Sequence, residues 1–196
     1  MRWQRSKGDA QPEGPPKRQH VLLWAGVGMA IAAVLIVWLL IAGTDSDDGN
    51  DSTSASTGAE VVSEESLRET AAELEAPVYW AGPPEEDAEL ELSQPDSERT
   101  FVRYLTEGAE AGDPRPFLTV GSYAIENPTA ALRRQGNEDG GVLAAAPGGG
   151  TVYFNRENPE SVYVAYPDVD VQVEVFAPDF KEALELATSG QIEPVE

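Results

Sequence analysis

Few residues in this chain could do chemistry, and their positions narrow the choice further. The 196-residue sequence holds one histidine and no cysteine. His20 stands on the basic side of an apolar run, Val21–Ala42. Histidine triads, imidazole proton shuttles and histidine-ligated zinc are therefore excluded from everything after that run. Thiolate chemistry and disulfides are excluded throughout. Lys181 is the only lysine beyond the run. It follows Phe180 on the exposed side of an expected helix, which suits a solvated lysine better than a Ser–Lys dyad. Carboxylates and tyrosines remain.

Two carboxylates at a set separation suffice for glycoside hydrolysis. Asp170 and Glu174 share one face of an expected strand. By strand rise they lie about 13 Å apart, beyond the ~6.5–9.5 Å of inverting enzymes. Asp168, Asp170 and Asp179 could gather around a hard cation only if a hairpin met the start of the next helix. The spacing Asp45-x-Asp47-x-Gly49 departs from a calcium loop at its fifth and sixth positions. The glycine run in NEDGGVLAAAPGGGTVYF lacks the GK[ST] of a phosphate loop, and its GGG precedes a strand, so it reads as a flexible connection. No catalytic residue, metal ligand or cofactor is assigned.

The aromatic residues offer more. Tyrosine, tryptophan and arginine on an open sheet face make a recognition surface. Tyr79, Trp80, Arg103, Tyr104, Tyr123, Tyr163 and Tyr166 fall on strand-like segments and form the candidate binding set. Aromatics also favour strands for packing alone, which would place several of them in a core.

The elements that must position these residues begin near Ser66. SLRETAAELEAP reads as a short helix with Ser66 and Glu69 at capping-box spacing and Pro77 as its stop. Residues 77–80, 88–92, 100–106 and 117–125 read as strands. SVYVAY, Pro167-Asp168 and VDVQVEVF read as a tight hairpin. Val169, Val171, Val173 and Val175 point to a core, and Asp170, Gln172, Glu174 and Phe176 to a wet face. A helix follows Pro178, with Phe180, Leu184 and Ala187 inward and Gly190 as its stop. Strands 100–106 and 117–125 followed by Asn127-Pro128 and a helix ending at Gly136 repeat this plan, with slight residue identity. The expected fold class is α+β, an antiparallel sheet with helices packed on one face.

Ahead of this domain, residues 1–20 read as a disordered cytoplasmic tail. Val21–Ala42 would span roughly 33 Å as a helix, against about 30 Å of hydrocarbon. A cleaved signal has a shorter apolar stretch, and no A-x-A site follows this one, so the run reads as a retained signal-anchor. Lys17 and Arg18 on one side and Asp45, Asp47, Asp48 and Asp51 on the other place the N-terminus in the cytoplasm and the C-terminal domain outside. Gly26, Ala30 and Ala33 make a small-residue stripe through which a homodimer could form. Residues 43–65 read as an acidic, flexible linker, and residues 66–196 as the extracytoplasmic domain.

The net charge of −22 falls mainly on that domain. It repels phosphate backbones, which disfavours nucleic acid as a partner. PVYWAGP, FVRYL and SVYVAYPDVDVQVEVFAPD with the following SGQI resemble segments of uncharacterised single-span envelope proteins of high-GC Gram-positive bacteria. The resemblance covers about residues 75–196. It implies the same topology and compartment, and it brings no activity or catalytic residue. The expected function is a membrane-anchored, non-catalytic domain that binds a protein or envelope polymer; the alternative is a carboxylate-dependent envelope hydrolase.

Overall fold

The computed structural model describes residues 58–106 and 108–196. The expected tail, the Val21–Ala42 span with its Gly26, Ala30 and Ala33 stripe, and the linker up to residue 57 lie outside the described residues. Among the described residues, no helix is long and apolar enough to cross a membrane.

Eight strands form one sheet: β1 (Glu60–Val62), β3 (Glu89–Asp96), β4 (Arg99–Leu105), β5 (Thr119–Ala124), β6 (Gly141–Ala146), β7 (Gly150–Asn155), β8 (Val162–Ala165) and β9 (Val171–Phe176). Their spatial order is β1-β3-β4-β5-β9-β8-β7-β6, and every neighbouring pair is antiparallel. A short ribbon of β2 (Tyr79–Trp80) and β10 (Glu193–Pro194) stands apart. Three helices complete the fold: α1 (Glu64–Glu73), α2 (Pro128–Gln135) and α3 (Phe180–Ser189). The α+β class expected from sequence is what the chain forms.

Because strand side chains alternate, the register assigns every residue to a face. On one face Leu90, Leu92, Val102, Tyr104, Val120, Val152, Val162, Val164, Val171, Val173 and Val175 build the core. Leu67 and Ala71 of α1, Ala183 and Ala187 of α3, and Val78, Tyr79, Trp80 and Ile192 cover it. The inward valines of 171–175 were legible in the sequence. Val169 lies before β9, since five residues, 166–170, connect β8 to β9 in place of a two-residue turn, with Asp168 at a left-handed φ of 59°.

The opposite face is not wet. Gln172 is 4% exposed and Glu174 8% exposed. Strand β9 sits between β5 and β8 in the middle of the sheet, where both faces are covered. Nor do the helices keep to one side. Helix α2 contacts β7, β8 and β9, and its Gly136 end lies against the Leu143 side chain and Gly141. Leu143 is cross-strand from Tyr153, Tyr153 from Tyr163, and Tyr163 from Glu174, so α2 lies on the Glu174 face. The two strand–strand–helix units do meet back to back at β5 and β9. A twofold relating them would run normal to the sheet and keep both helices on one face, so the units are not symmetry copies.

Two further differences have local causes. Among the described residues, strand β1 lies ahead of Ser66, because it pairs with β3. The cap of α1 is Ser63, whose Oγ accepts from the Ser66 amide at 3.1 Å, so Ser66 and Glu69 form no capping box. The Gly- and Ala-rich stretch before the GGG is the edge strand β6. Helix α3 matches expectation at its ends, with Asp179 accepting from Lys181 N at 2.9 Å and Gly190 in the left-handed conformation, φ 90°. Its buried residues are Ala183 and Ala187, with Phe180 and Leu184 half-buried.

Candidate binding site

The seven aromatic and arginine residues of the expected patch divide between the two faces, and six are buried, with Tyr166 half-buried. Tyr79, Trp80, Tyr104 and Tyr166 lie on the core side. Tyr79 and Tyr166 stack at 5.5 Å with an interplanar angle of 5°. The Tyr104 hydroxyl accepts from Ala81 N and donates to Gly82 O, both at 2.8 Å, and pins the chain after β2. The Arg68 guanidinium lies 5.2 Å from the Trp80 ring centroid. Arg103, Tyr123 and Tyr163 occupy the other face. No single open surface brings the seven together, because their rings are used to hold elements in place.

On that second face, cross-strand neighbours run Phe101, Gly121, Glu174, Tyr163. Tyr123 and Tyr163 both donate to the Glu174 carboxylate, Tyr163 at 3.3 Å. Gly121 leaves room for Phe101 to meet Tyr123 edge-on at 5.7 Å; a Cβ there would come within 3.0 Å of the Tyr123 ring. Burial, and the Glu174 charge after it, pushes both phenols well above the usual tyrosine value. They stay protonated donors at any physiological pH. One row along, Arg103 Nη1 donates to Glu91 Oε1 at 2.6 Å, and its Nη2 donates to the Asp113 and Arg115 carbonyls at 2.8 and 3.0 Å. Gly112 N donates to the second Glu91 oxygen. This pair fastens the 106–118 loop to the sheet, with Arg103 5.2 Å from the Phe117 ring centroid.

Two of the acids weighed for other chemistry hold backbone amides beside helix starts. Asp170 Oδ1 accepts from Asn127 N at 3.0 Å, ahead of α2, and Asp179 caps α3. Among the described residues, no group of three acids gathers in metal-binding geometry.

An open cavity of about 190 Å³ lies on the core side, at the end of the sheet away from the Arg103 loop. Its position follows from side-chain size. Along the row Leu92, Val102, Val120, Val175, large apolar groups fill the space under the helices. Near the β3–β4 turn the cross-strand pair is Thr100 and Ser122, and the next is Ala124 with Val171. Helix α1 ends at Glu73, and Leu74 turns into extended conformation before Pro77, so no helical turn covers these smaller groups. The register of β3 is irregular between Ser93 and Asp96, next to the β3–β4 turn.

Thr100 and Ser122 are buried hydroxyl residues in the cavity wall, and Glu73, Glu75, Glu98 and Gln94 are exposed residues that also line it. No lysine or arginine contributes. The Ser122 Oγ accepts from Tyr79 N at 2.8 Å. Sequence reasoning passed over both hydroxyls. The signal available was a Thr and a Ser at inward positions of otherwise apolar strands.

Comparison of the chain with protein-family models, with curated proteins and with solved structures finds no match.

Proposed function

We propose that the domain from Glu60 onward is a non-catalytic binding domain held outside the plasma membrane by Val21–Ala42, with the N-terminus in the cytoplasm. In this arrangement the bilayer takes Val21–Ala42, the small residues Gly26, Ala30 and Ala33 offer a homodimer contact, and the folded domain presents its cavity to a protein or polymer of the envelope. The observation that carries the binding reading is the cavity wall: its polar residues are Ser, Thr, Gln and Glu, without a histidine, cysteine or lysine. Such groups recognise a ligand by hydrogen bonds and charge. The usual carriers of proton transfer or attack near neutral pH are missing from it.

Glu73, Glu75 and Glu98 around one cavity also support the second reading, a carboxylate-dependent hydrolase. The two are separated with the full-length chain. Protease added to intact protoplasts should remove the domain and leave a small membrane-bound stub, whereas a mature N-terminus near Thr44 would sink the anchor. The detergent-solubilised chain, screened on glycan, peptide and ester substrates at several pH values, is expected to show no turnover. Turnover abolished by Glu73→Gln or Glu98→Gln, with the fold intact, would establish the hydrolase.

A further inference from the structure

We infer that the outer edge of β6 pairs antiparallel with β6 of a second copy of this chain, Ala144 opposite Ala144, and joins two sheets into one. This surface is separate from the cavity and does not depend on it. Strand β6 ends the eight-strand order, and among the described residues no strand lies beyond it. Its outward groups follow from the ladder. Arg156 N donates to Gly140 O at 3.0 Å, and bonded pairs alternate along an antiparallel pair. Val142, Ala144 and Ala146 therefore bond across to β7, while the amides and carbonyls of Leu143 and Ala145 point away from it. Natural edges are blunted by shortness, charge, proline or a bulge. The opposite edge, β1, is three residues long and opens on Glu60. Strand β6 is six residues long, pairs with β7 without a register shift, and has none of these devices. Leu143, Ala144 and Ala145 are all exposed.

Charge, closure and fit identify the occupant. The chain carries a net charge of −22, yet no charged residue stands from Gly140 through Asn155. Two acidic domains can meet along this hairpin without setting acids face to face. The residues ahead of Gly58 join the sheet at β1, seven strand spacings or about 33 Å from β6. Residues 43–57 also carry four acids, a poor match for an uncharged edge. A strand paired with itself lies on a twofold axis, and the assembly closes at two copies. The groups at its ends select the register. With Ala144 on the axis, Leu143 and Ala145 of the two copies exchange about four hydrogen bonds, and no outward group of either residue is left over. Gly141 then falls opposite Pro147. Gly141 N already donates to Glu138 O at 3.0 Å, and proline has no N–H, so no donor is stranded there. Leu143 on the axis would instead aim the Ala145 carbonyl at that engaged Gly141 amide.

The chain holds no cysteine, so an introduced one reports alone. Across the axis Ala144 makes a non-hydrogen-bonded pair, with Cα atoms about 4.5 Å apart, inside the disulfide range of about 4.4–6.8 Å. Ala145 lies about 8–9 Å from its twin, beyond that reach. The purified full-length chain in detergent, at about 100 μM, is oxidised and run on a non-reducing gel. Ala144→Cys is expected to give mostly covalent dimer, and Ala145→Cys at least about fivefold less. Ala145→Pro removes an outward donor and no bond to β7, a position where edge strands accept proline. Added to Ala144→Cys, it should cut the dimer about tenfold and leave the melting temperature within a few degrees of the parent. No crosslink at position 144 overturns the inference, as do equal crosslinks at 144 and 145, or a dimer unmoved by a folded Ala145→Pro chain. If the proline variant melts early, the comparison of 144 with 145 decides alone. Oxidation of intact cells tests the other occupant. Position 144 crosslinked to a different protein, with the purified chain unlinked, gives the edge to a foreign strand and overturns the inference as well.

Discussion

Glu91 and Glu174 lie on the same face of one sheet, both buried, yet their surroundings differ in kind. Glu91 is 0% exposed and is answered by a full positive charge, Arg103, itself 4% exposed. Glu174 is held by two neutral phenols. The first arrangement bridges β3 and β4 and reaches out to a loop; the second bridges β5, β9 and β8 at the centre of the sheet. The comparison teaches that burial of an acid here marks a joint and does not mark a reactive group. Both oxygens of each carboxylate accept from donors in neighbouring strands or, for Glu91, also from the Gly112 amide of the loop. The acids left free are those at the surface, among them the three around the cavity.

The difference in kind predicts a difference in sensitivity. Arg103→Met removes the guanidinium and strands Glu91 as an unpaired buried charge, which should destabilise the domain by about 3–5 kcal/mol. The double variant Glu91→Leu with Arg103→Met replaces both ions with apolar groups, and most of that loss should return. Denaturant unfolding of the full-length chain reads both. A single variant within 1 kcal/mol of the parent would show that the loop, and not the ion pair, sets the geometry there.

At the other joint the expected losses are smaller. Tyr123→Phe deletes a hydrogen bond to the Glu174 carboxylate and should lower stability by about 1.5–3 kcal/mol, while Tyr163→Phe, with its longer bond, should lower it by less. The phenols also set an alkaline limit. Burial is the leading cause that raises all six tyrosines above their ordinary value of 10.0. The folded state therefore holds phenol protons that the unfolded chain releases near pH 10. Their contribution is complete below that pH and is lost as pH rises above it. Absorbance of phenolate should stay flat through pH 10 and then appear together with unfolding. Early, non-cooperative ionisation of a majority of the six would contradict their burial.

The sequence carried some of this plainly and other parts not at all. Val171, Val173 and Val175 showed a core-facing edge through a period of two. The same period could not show that Gln172 and Glu174 are covered too, because that depends on β9 lying between β5 and β8. Arg103 and Tyr123 looked like surface recognition residues, since aromatic and arginine content is the same for a patch and for a joint. Strand β6, Gly141–Ala146, carries little β-propensity and forms through its pairing with β7. The cavity was the least legible. Its walls come from residues 73–77, from Gln94, Ser97, Glu98 and Thr100, and from Ser122, Ala124 and Val171, which only the tertiary fold brings together. Whether a Thr at the start of a strand faces ligand, solvent or core is not a local property.

The smallest expected effect comes from a second ion pair on the same hairpin, which serves as the control for the first. Arg99 donates to Asp96 through Nε, at 2.7 Å, and through Nη2, but both side chains are well exposed. The hydrogen bonds from Arg99 hold the Asp96 carboxyl below its usual value. A depressed carboxyl contributes stability that is present above the unfolded value, near pH 3.8, and is lost as pH falls through the folded one. In water of high dielectric such a pair is worth only about 0.2–1 kcal/mol. Arg99→Gln should therefore lower stability by that little, and raising the salt should erase the difference. Arg103→Met should keep its larger loss at every salt concentration, because no solvent reaches Glu91. If Arg99→Gln proves as damaging as Arg103→Met, burial is not what separates the two pairs, and the turn at Asp96–Arg99 is instead fixing the mouth of the cavity.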